Sequence, residues 1–194
     1  MIGHSLDAYE EMAPAIQRVL ITQEEIEERV YELGAEIARD YAGRNPLLVG
    51  VLKGVVPFMA DLLRAITIPV EVDYMDIARF RPGKDGHGAV RLEKDLNVAI
   101  EGRHILFVED VIDTGLTLNY LLRSLRVREP ASLEVCVFFN KPAHRLVEIP
   151  LKYKGFDLPD MFVVGYGLDF RERYRNLPFV GLLHAHVFQN DGGK

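Results

Sequence analysis

Three stretches of this chain are apolar almost without a break: Leu47-Leu-Val-Gly-Val-Leu52, His104-Ile-Leu-Phe-Val108 and Ser132 to Phe139. Each is too short for a helix buried on all sides and is bounded by turn-forming or charged residues. Each therefore reads as a strand covered on both faces. Helical patterns lie between them. Thr22-Gln-Glu-Glu25 has the form of a capping box, and Ile26, Val30, Leu33, Ile37 and Tyr41 follow at three- and four-residue steps. This predicts an amphipathic helix that ends near Gly43. A second helix is predicted from Val55 to about Ile66, with Pro57 in its first turn, and a third carries Leu118, Leu121, Leu122 and Leu125 on one face. Ile68 to Met75, Met161 to Val164 and Phe179 to Val187 read as further strands, and Asn140 to Arg145 as a loop. The alternation predicts an α/β fold built on a mainly parallel sheet flanked by helices. With 194 residues, no repeat and no linker-like tract, the expectation is a single domain over residues 1–194.

Residues 76–90 break the pattern. Arg79, Arg81, Pro82, Gly83, Lys84, Asp85, Gly86 and Gly88 crowd together with few apolar neighbours, as in a long mobile loop able to act as a lid. Cys136, the one cysteine, sits in an apolar strand, so neither an internal disulfide nor a cysteine zinc cluster can form. The N-terminal segment carries Asp7, Glu10 and Glu11 in place of a basic start and an apolar run, and no stretch reaches the ~20 apolar residues of a membrane helix. The expectation is a soluble, cytoplasmic protein without a membrane partner. A net charge of −6 argues against a nucleic-acid partner gripped by phosphate neutralisation.

The chemistry concentrates in Val108-Glu-Asp-Val-Ile-Asp-Thr-Gly-Leu-Thr117. A buried strand runs into acidic residues and then into a turn that opens a helix. Ligands of parallel sheets lie beyond the carboxyl ends of the strands. A helix N-terminus offers unpaired N–H groups and the positive end of the helix dipole. Gly115 lets the backbone approach an anion, and Thr114 and Thr117 add hydroxyl donors, so Asp113, Thr114, Gly115, Leu116 and Thr117 form a candidate cradle for a phosphate monoester. Glu109 and Asp110 would repel that phosphate. As oxygen acceptors they suit ribose hydroxyls or the coordination sphere of Mg²⁺.

Other chemistries fit less well. Asp-Thr-Gly occurs in aspartic proteases, which need a second carboxylate, and this chain holds no second copy. A nucleotide kinase of the P-loop type would need Gly-x-x-x-x-Gly-Lys-Ser/Thr, which is missing. A nucleic-acid-binding regulator would need a basic patch, for which Arg123, Arg126 and Arg128, with Arg171, Arg173 and Arg175, are the candidates. His184-Ala-His186 would put two rings on one strand face, a metal pair lacking a third ligand.

The segment Glu109–Thr117 resembles the phosphoribosyl-pyrophosphate motif of the type I phosphoribosyltransferases. Leu52-Lys53-Gly54, Lys141-Pro142 with Arg145, and Gly155–Asp169 leading to Tyr174–Pro178 are similar to the hypoxanthine-guanine branch, over residues 20–185. The resemblance implies the type I fold with a small hood and a mobile lid, purine salvage, Mg²⁺ as cofactor, phosphoribosyl pyrophosphate and a 6-oxo purine as substrates, and a homodimer or homotetramer. It implies that Glu109 and Asp110 meet the ribose and Asp113 faces purine N7 as general base, while 113–117 hold the 5′-phosphate. Lys53, Gly54 and Arg175 are implied to contact pyrophosphate, with a cis peptide at Leu52-Lys53. Lys141 is implied to donate to the purine O6, Phe162 to stack on the base, and Val163 and Asp169 to line the purine site. The metal ligands implied are Glu109, Asp110 and Asp169. The chain departs from the family in the lid, where Arg79-Phe80 stands in place of the usual Ser-Tyr.

Overall fold

The capping box forms as expected. The Thr22 hydroxyl accepts from the Glu25 amide at 3.2 Å, and the Glu25 carboxylate accepts from the Thr22 amide at 2.8 Å. It opens the first helix of a computed structural model that describes residues 6–80 and 89–189. The elements are β1 (Ile16–Ile21), α1 (Gln23–Asp40), β2 (Leu47–Val51), α2 (Val56–Ala65), β3 (Glu71–Phe80), β4 (Ala89–Lys94), β5 (His104–Ile112), α3 (Leu116–Arg126), β6 (Ser132–Asn140), β7 (Tyr153–Asp157), β8 (Val163–Val164), β9 (Val180–Leu183) and α4 (Ala185–Gln189).

The larger sheet has the order β4-β3-β2-β5-β6-β7, parallel throughout except for β4 on β3. Because side chains alternate along a strand, each apolar run feeds two cores. Leu48, Leu106, Val108, Cys136 and Phe138 pack with residues of α1 and α2, while Val49, Ile105, Phe107 and Val137 pack with the leucines of α3. Each such side chain, buried, is worth roughly 1.5–3 kcal/mol. The smaller sheet, β1-β9-β8, is antiparallel and forms the hood. It joins the α1–α2 core through Ile21, Val163 and Val180.

One buried acid pins the edge of the larger sheet. Asp73 of β3 is 7% exposed and accepts from the amides of Tyr74 (2.8 Å) and Asn97 (2.6 Å), from Asn97 Nδ2 and from Lys94 Nζ. Burial pushes its carboxyl up, but the Asn97 and Tyr74 amides and Lys94 together outweigh burial and hold it below the usual carboxylate range.

Two expectations are corrected. Residues 76–80 and 89–90 are not loop but continue β3 and β4, paired antiparallel from Asp76↔Lys94 to Phe80↔Ala89. The cause is alternation: Ile77 and Leu92, paired across the two strands, pack against the α3-side core, while Arg91 and Glu93 on either side of Leu92 are exposed. Residues 81–88, the centre of the expected lid, and the side chains of Arg79 and Phe80 lie outside the described residues. The last strand stops at Leu183, and α4 follows, so His184 and His186 do not share a strand face. Their rings stack, with centroids 5.2 Å apart and planes at 30°. β1, β4 and β7 were not expected from the apolar pattern.

The strand order sets the position of the site. From β2 the chain moves outward to β3 and β4, then returns to place β5 on the other side of β2. The carboxyl ends of β2 and β5 therefore flank a topological switch point, where a crevice opens because the two connections depart in opposite directions.

Candidate active site

The loop after β2 and the end of β5 touch across that crevice. Leu52-Lys53 is a cis peptide. Gly54 lies so close to Asp110 that a Cβ added there would overlap the Asp110 carboxylate, and the Gly54 carbonyl packs in turn on the Cα of Gly167. Glu109 and Asp110 follow Val108 at the carboxyl end of β5, and Asp110 turns to the Gly54 loop. Both are partly buried.

The turn between β5 and α3 is gripped by the segment after β6. The Ile112 carbonyl accepts from the Lys141 amide at 2.9 Å, and the Asp113 carbonyl from Arg145 Nε at 2.8 Å. The Thr114 carbonyl accepts from the amides of Leu146 (2.9 Å) and Val147 (3.1 Å). Three successive carbonyls are thus engaged on one side of the turn. The amides of the first turn of α3 have no partner within the helix, as at any helix start; that of Leu116 makes a long contact to the Thr114 hydroxyl at 3.4 Å, and such a helix start is suited to an anion. Gly115, at φ 81°, caps α3 in the left-handed region, and a Cβ there would meet the Val147 carbonyl at 2.7 Å. Glycine is needed here for its φ and for the approach of residues 145–147, not only to admit a ligand.

A second group of residues gathers beside this turn. Lys141 Nζ donates to the Met161 carbonyl at 2.9 Å, next to Phe162, whose ring is 42% exposed and meets Phe170 edge-on at 5.5 Å. Val163 is buried in β8. His144, at the end of a short 3-10 turn (Pro142–His144), stands between two acids: Nδ1 is 3.5 Å from Asp113 and Nε2 is 3.2 Å from Asp160. Lys141 and His144 thus link the turn after β5, with Asp113, to the 160–162 segment that carries Phe162.

On the opposite side, the tight turns of 165–177 bring a charged network to the cis-peptide loop. Lys53 Nζ is 3.0 Å from Glu172, and Arg175 reaches Asp169 at 2.9 Å, Glu172 at 3.2 Å and the Gly167 carbonyl at 2.7 Å. The Asp169 carboxylate also accepts from the Glu172 amide. Lys53 and then Arg175 hold the Glu172 carboxyl below its usual range.

Among the described residues no three His, Cys, Asp or Glu side chains converge on one point as a closed metal cage. Glu109, Asp110 and Asp169 are nonetheless oxygen donors of the kind Mg²⁺ takes, and that ion commonly binds one or two carboxylates and completes its shell with substrate oxygens and water. The donor set fits such an open site. Four of the six arginines considered as a nucleic-acid patch are accounted for in other ways. Arg128 forms a two-pronged pair with Asp95 at 2.9 Å, Arg175 belongs to the network above, and Arg123 and Arg126 lie in the last turn of α3, where cations suit the helix dipole. His144, Asp160 and Glu172 were missed from the sequence. Each is a single charged or polar residue in a loop, with no periodic or motif signal of its own.

Residues 20–171 match the family model of a phosphoribosyl transferase domain. The hypoxanthine-guanine phosphoribosyltransferase of Streptococcus pneumoniae is 46% identical over 175 residues, 90% of this chain and 97% of that protein. The bifunctional protein TilS/HprT of Listeria monocytogenes is 48% identical over 179 residues, 92% of this chain but 28% of that protein, so the chain spans only a little over a quarter of that relative. A hypoxanthine phosphoribosyltransferase from Staphylococcus aureus superposes with a TM-score of 0.87 at 41% identity, covering 92% of this chain and 97% of the other.

Proposed function

Because the chain belongs to the phosphoribosyltransferase family, in its hypoxanthine-guanine branch, we propose that it is a purine-salvage enzyme. It transfers the phosphoribosyl group of phosphoribosyl pyrophosphate to N9 of hypoxanthine or guanine, giving IMP or GMP and pyrophosphate. The observation that carries this reading is the crevice between β2 and β5, where the Gly54 loop meets Asp110 beside the open N-terminus of α3. One place there offers groups for a phosphate, a ribose and a leaving pyrophosphate.

In this mechanism the amides and hydroxyls of 113–117 hold the 5′-phosphate, and Glu109 and Asp110 accept from the ribose hydroxyls. Lys53, the Gly54 backbone and Arg175 take up negative charge developing on the departing pyrophosphate as the C1′–O bond breaks. Lys141 donates to O6 of the base, which favours a 6-oxo over a 6-amino purine because an amino group would leave the ammonium unmatched. Phe162 stacks on the purine, with Val163 and Asp169 bordering it. Asp113 takes or shares the N7 proton while N9 bonds to C1′. Glu109, Asp110 and Asp169 would hold Mg²⁺, which neutralises pyrophosphate charge when bound.

The same reading takes residues 1–194 as one catalytic domain, acting in the cytoplasm as a homodimer or homotetramer whose interface lies near the Lys53 loop and α2. No described helix is long and apolar enough to cross a membrane. A steady-state assay with phosphoribosyl pyrophosphate and hypoxanthine, guanine, xanthine or adenine, with Mg²⁺ or with a chelator, tests it. Turnover of hypoxanthine or guanine that needs the metal is expected. Adenine turnover equal to that of hypoxanthine would overturn the assignment.

A further inference from the structure

His144 is placed to couple the two sides of the purine space. Its ring lies 3.5 Å from the Asp113 carboxylate and 3.2 Å from that of Asp160, which come from separate elements: the turn after β5 and the loop before β8. Each neighbour of His144 is tied to the same space. Lys141, three residues earlier, donates to the carbonyl of Met161, which follows Asp160. Arg145, one residue later, holds the carbonyl of Asp113. The charged groups around the ring are therefore Asp113 and Asp160 across from it, and Lys141 and Arg145 on its own segment.

We propose that His144 is a positioning residue for the base Asp113, its ring standing as a tie between the carboxylates of Asp113 and Asp160. This rests on the reading of Asp113 as the group that meets purine N7. The two ring nitrogens face different carboxylates, Nδ1 that of Asp113 and Nε2 that of Asp160, so one side chain spans both acids. The tie fixes the Asp113 carboxylate in the plane where N7 arrives and draws the 158–162 loop, with Phe162, over the base. The 3.5 Å separation from Asp113 suits a contact that tightens when the purine enters and excludes water. All three side chains are about half exposed, so the gain is modest until the base covers them.

The test compares His144→Ala, His144→Gln and Asp113→Asn with the unaltered protein, measuring kcat/KM for hypoxanthine and, separately, KM for phosphoribosyl pyrophosphate. His144→Ala should lower kcat/KM for hypoxanthine about fivefold while the sugar-phosphate KM stays in place. His144→Gln, which keeps a side-chain N–H donor for one of the two acids, should recover part of the loss. Unchanged kcat/KM for hypoxanthine in His144→Ala, or an equal loss in His144→Gln, with Asp113→Asn strongly impaired, would overturn the role of His144 and leave the base intact. Near-normal turnover of Asp113→Asn would instead overturn the reading on which the inference rests.

Discussion

Lys53 and Glu172, separated by 119 positions in the chain, meet at 3.0 Å, and Arg175 shares the same carboxylate at 3.2 Å. Glu172 thus pairs with both cations proposed to receive pyrophosphate. The carboxyl is held below its usual range by Lys53 and then Arg175, so it stays charged through neutral pH and, on the proposed reading, competes with pyrophosphate for both cations. Glu172→Gln removes that competitor. Pyrophosphate should inhibit the variant about two- to fivefold more strongly, the modest scale of an exposed ion pair. Product-inhibition kinetics measure this, and weaker inhibition would mean that Glu172 orients Lys53 more than it competes for it.

Gly54 and Asp110 give a second prediction. A methyl group on residue 54 would enter the Asp110 carboxylate, which must then swing away from the ribose position. Gly54→Ala should lower kcat/KM for phosphoribosyl pyrophosphate by about 10²-fold, since small misplacements at a reacting centre are costly. The obstacle is a side-chain carboxylate and not backbone, so the melting temperature should move by only a few degrees. Kinetics and a thermal melt on one preparation separate the two effects.

How much of this was legible beforehand differs from element to element. β2, β5 and β6 were plain because strands covered on both faces must be apolar at nearly every position. The turn at 113–117 was plain because a strand, a Gly-containing turn and a Leu-rich helix occur in direct succession. β4 was hidden because only one of its faces packs, leaving Arg91, Glu93 and Lys94 to give it the look of a loop. β1 and β7 are short strands at sheet edges, and Arg18 and Lys154 dilute their apolar content. Lys141 and Phe162 carried no signal in periodicity, and the family resemblance alone singled them out. His144 and Glu172 acquire meaning only when the fold brings Asp160 and Lys53 to them.

Asp73 yields a prediction about acid stability. Its folded carboxyl titrates below the usual range, so its contribution is fully present above the unfolded value of ~3.9 and is lost as pH falls through the lower folded value. Asp73→Asn keeps the size of the side chain but turns an amide NH₂ toward the donors of Asn97, Tyr74 and Lys94. The variant should be less stable by about 2 kcal/mol at pH 7. The gap should narrow as the solution is taken below about pH 4. Urea unfolding of both proteins at pH 7 and pH 3.5 checks this. Asp95, held low by Arg128, and Asp157, held low by Lys154 and then Asn140, remain in both proteins, so the difference between them is the informative quantity.

The last prediction concerns base selection by Lys141. Its ammonium donates at 2.9 Å to the Met161 carbonyl, beside the proposed purine site, so on that reading little movement is needed to add or exchange a bond to a purine O6. Lys141→Met keeps a flexible chain of similar length but removes the charge and every donor. A hydrogen bond from a charged group is worth about 1.5–3 kcal/mol, so kcat/KM for hypoxanthine and guanine should fall ~10–100-fold. The KM for phosphoribosyl pyrophosphate should stay near its original value, because Lys53, Arg175 and the 113–117 turn are untouched. Adenine gains no partner from the change but no longer confronts an unmatched ammonium, so the preference for hypoxanthine over adenine should shrink. Steady-state kinetics with the three bases at saturating phosphoribosyl pyrophosphate decide the matter. If the preference survives intact, recognition of the 6-oxo group resides elsewhere, and the backbone around Val163 is the next place to look, since it borders the same space from β8.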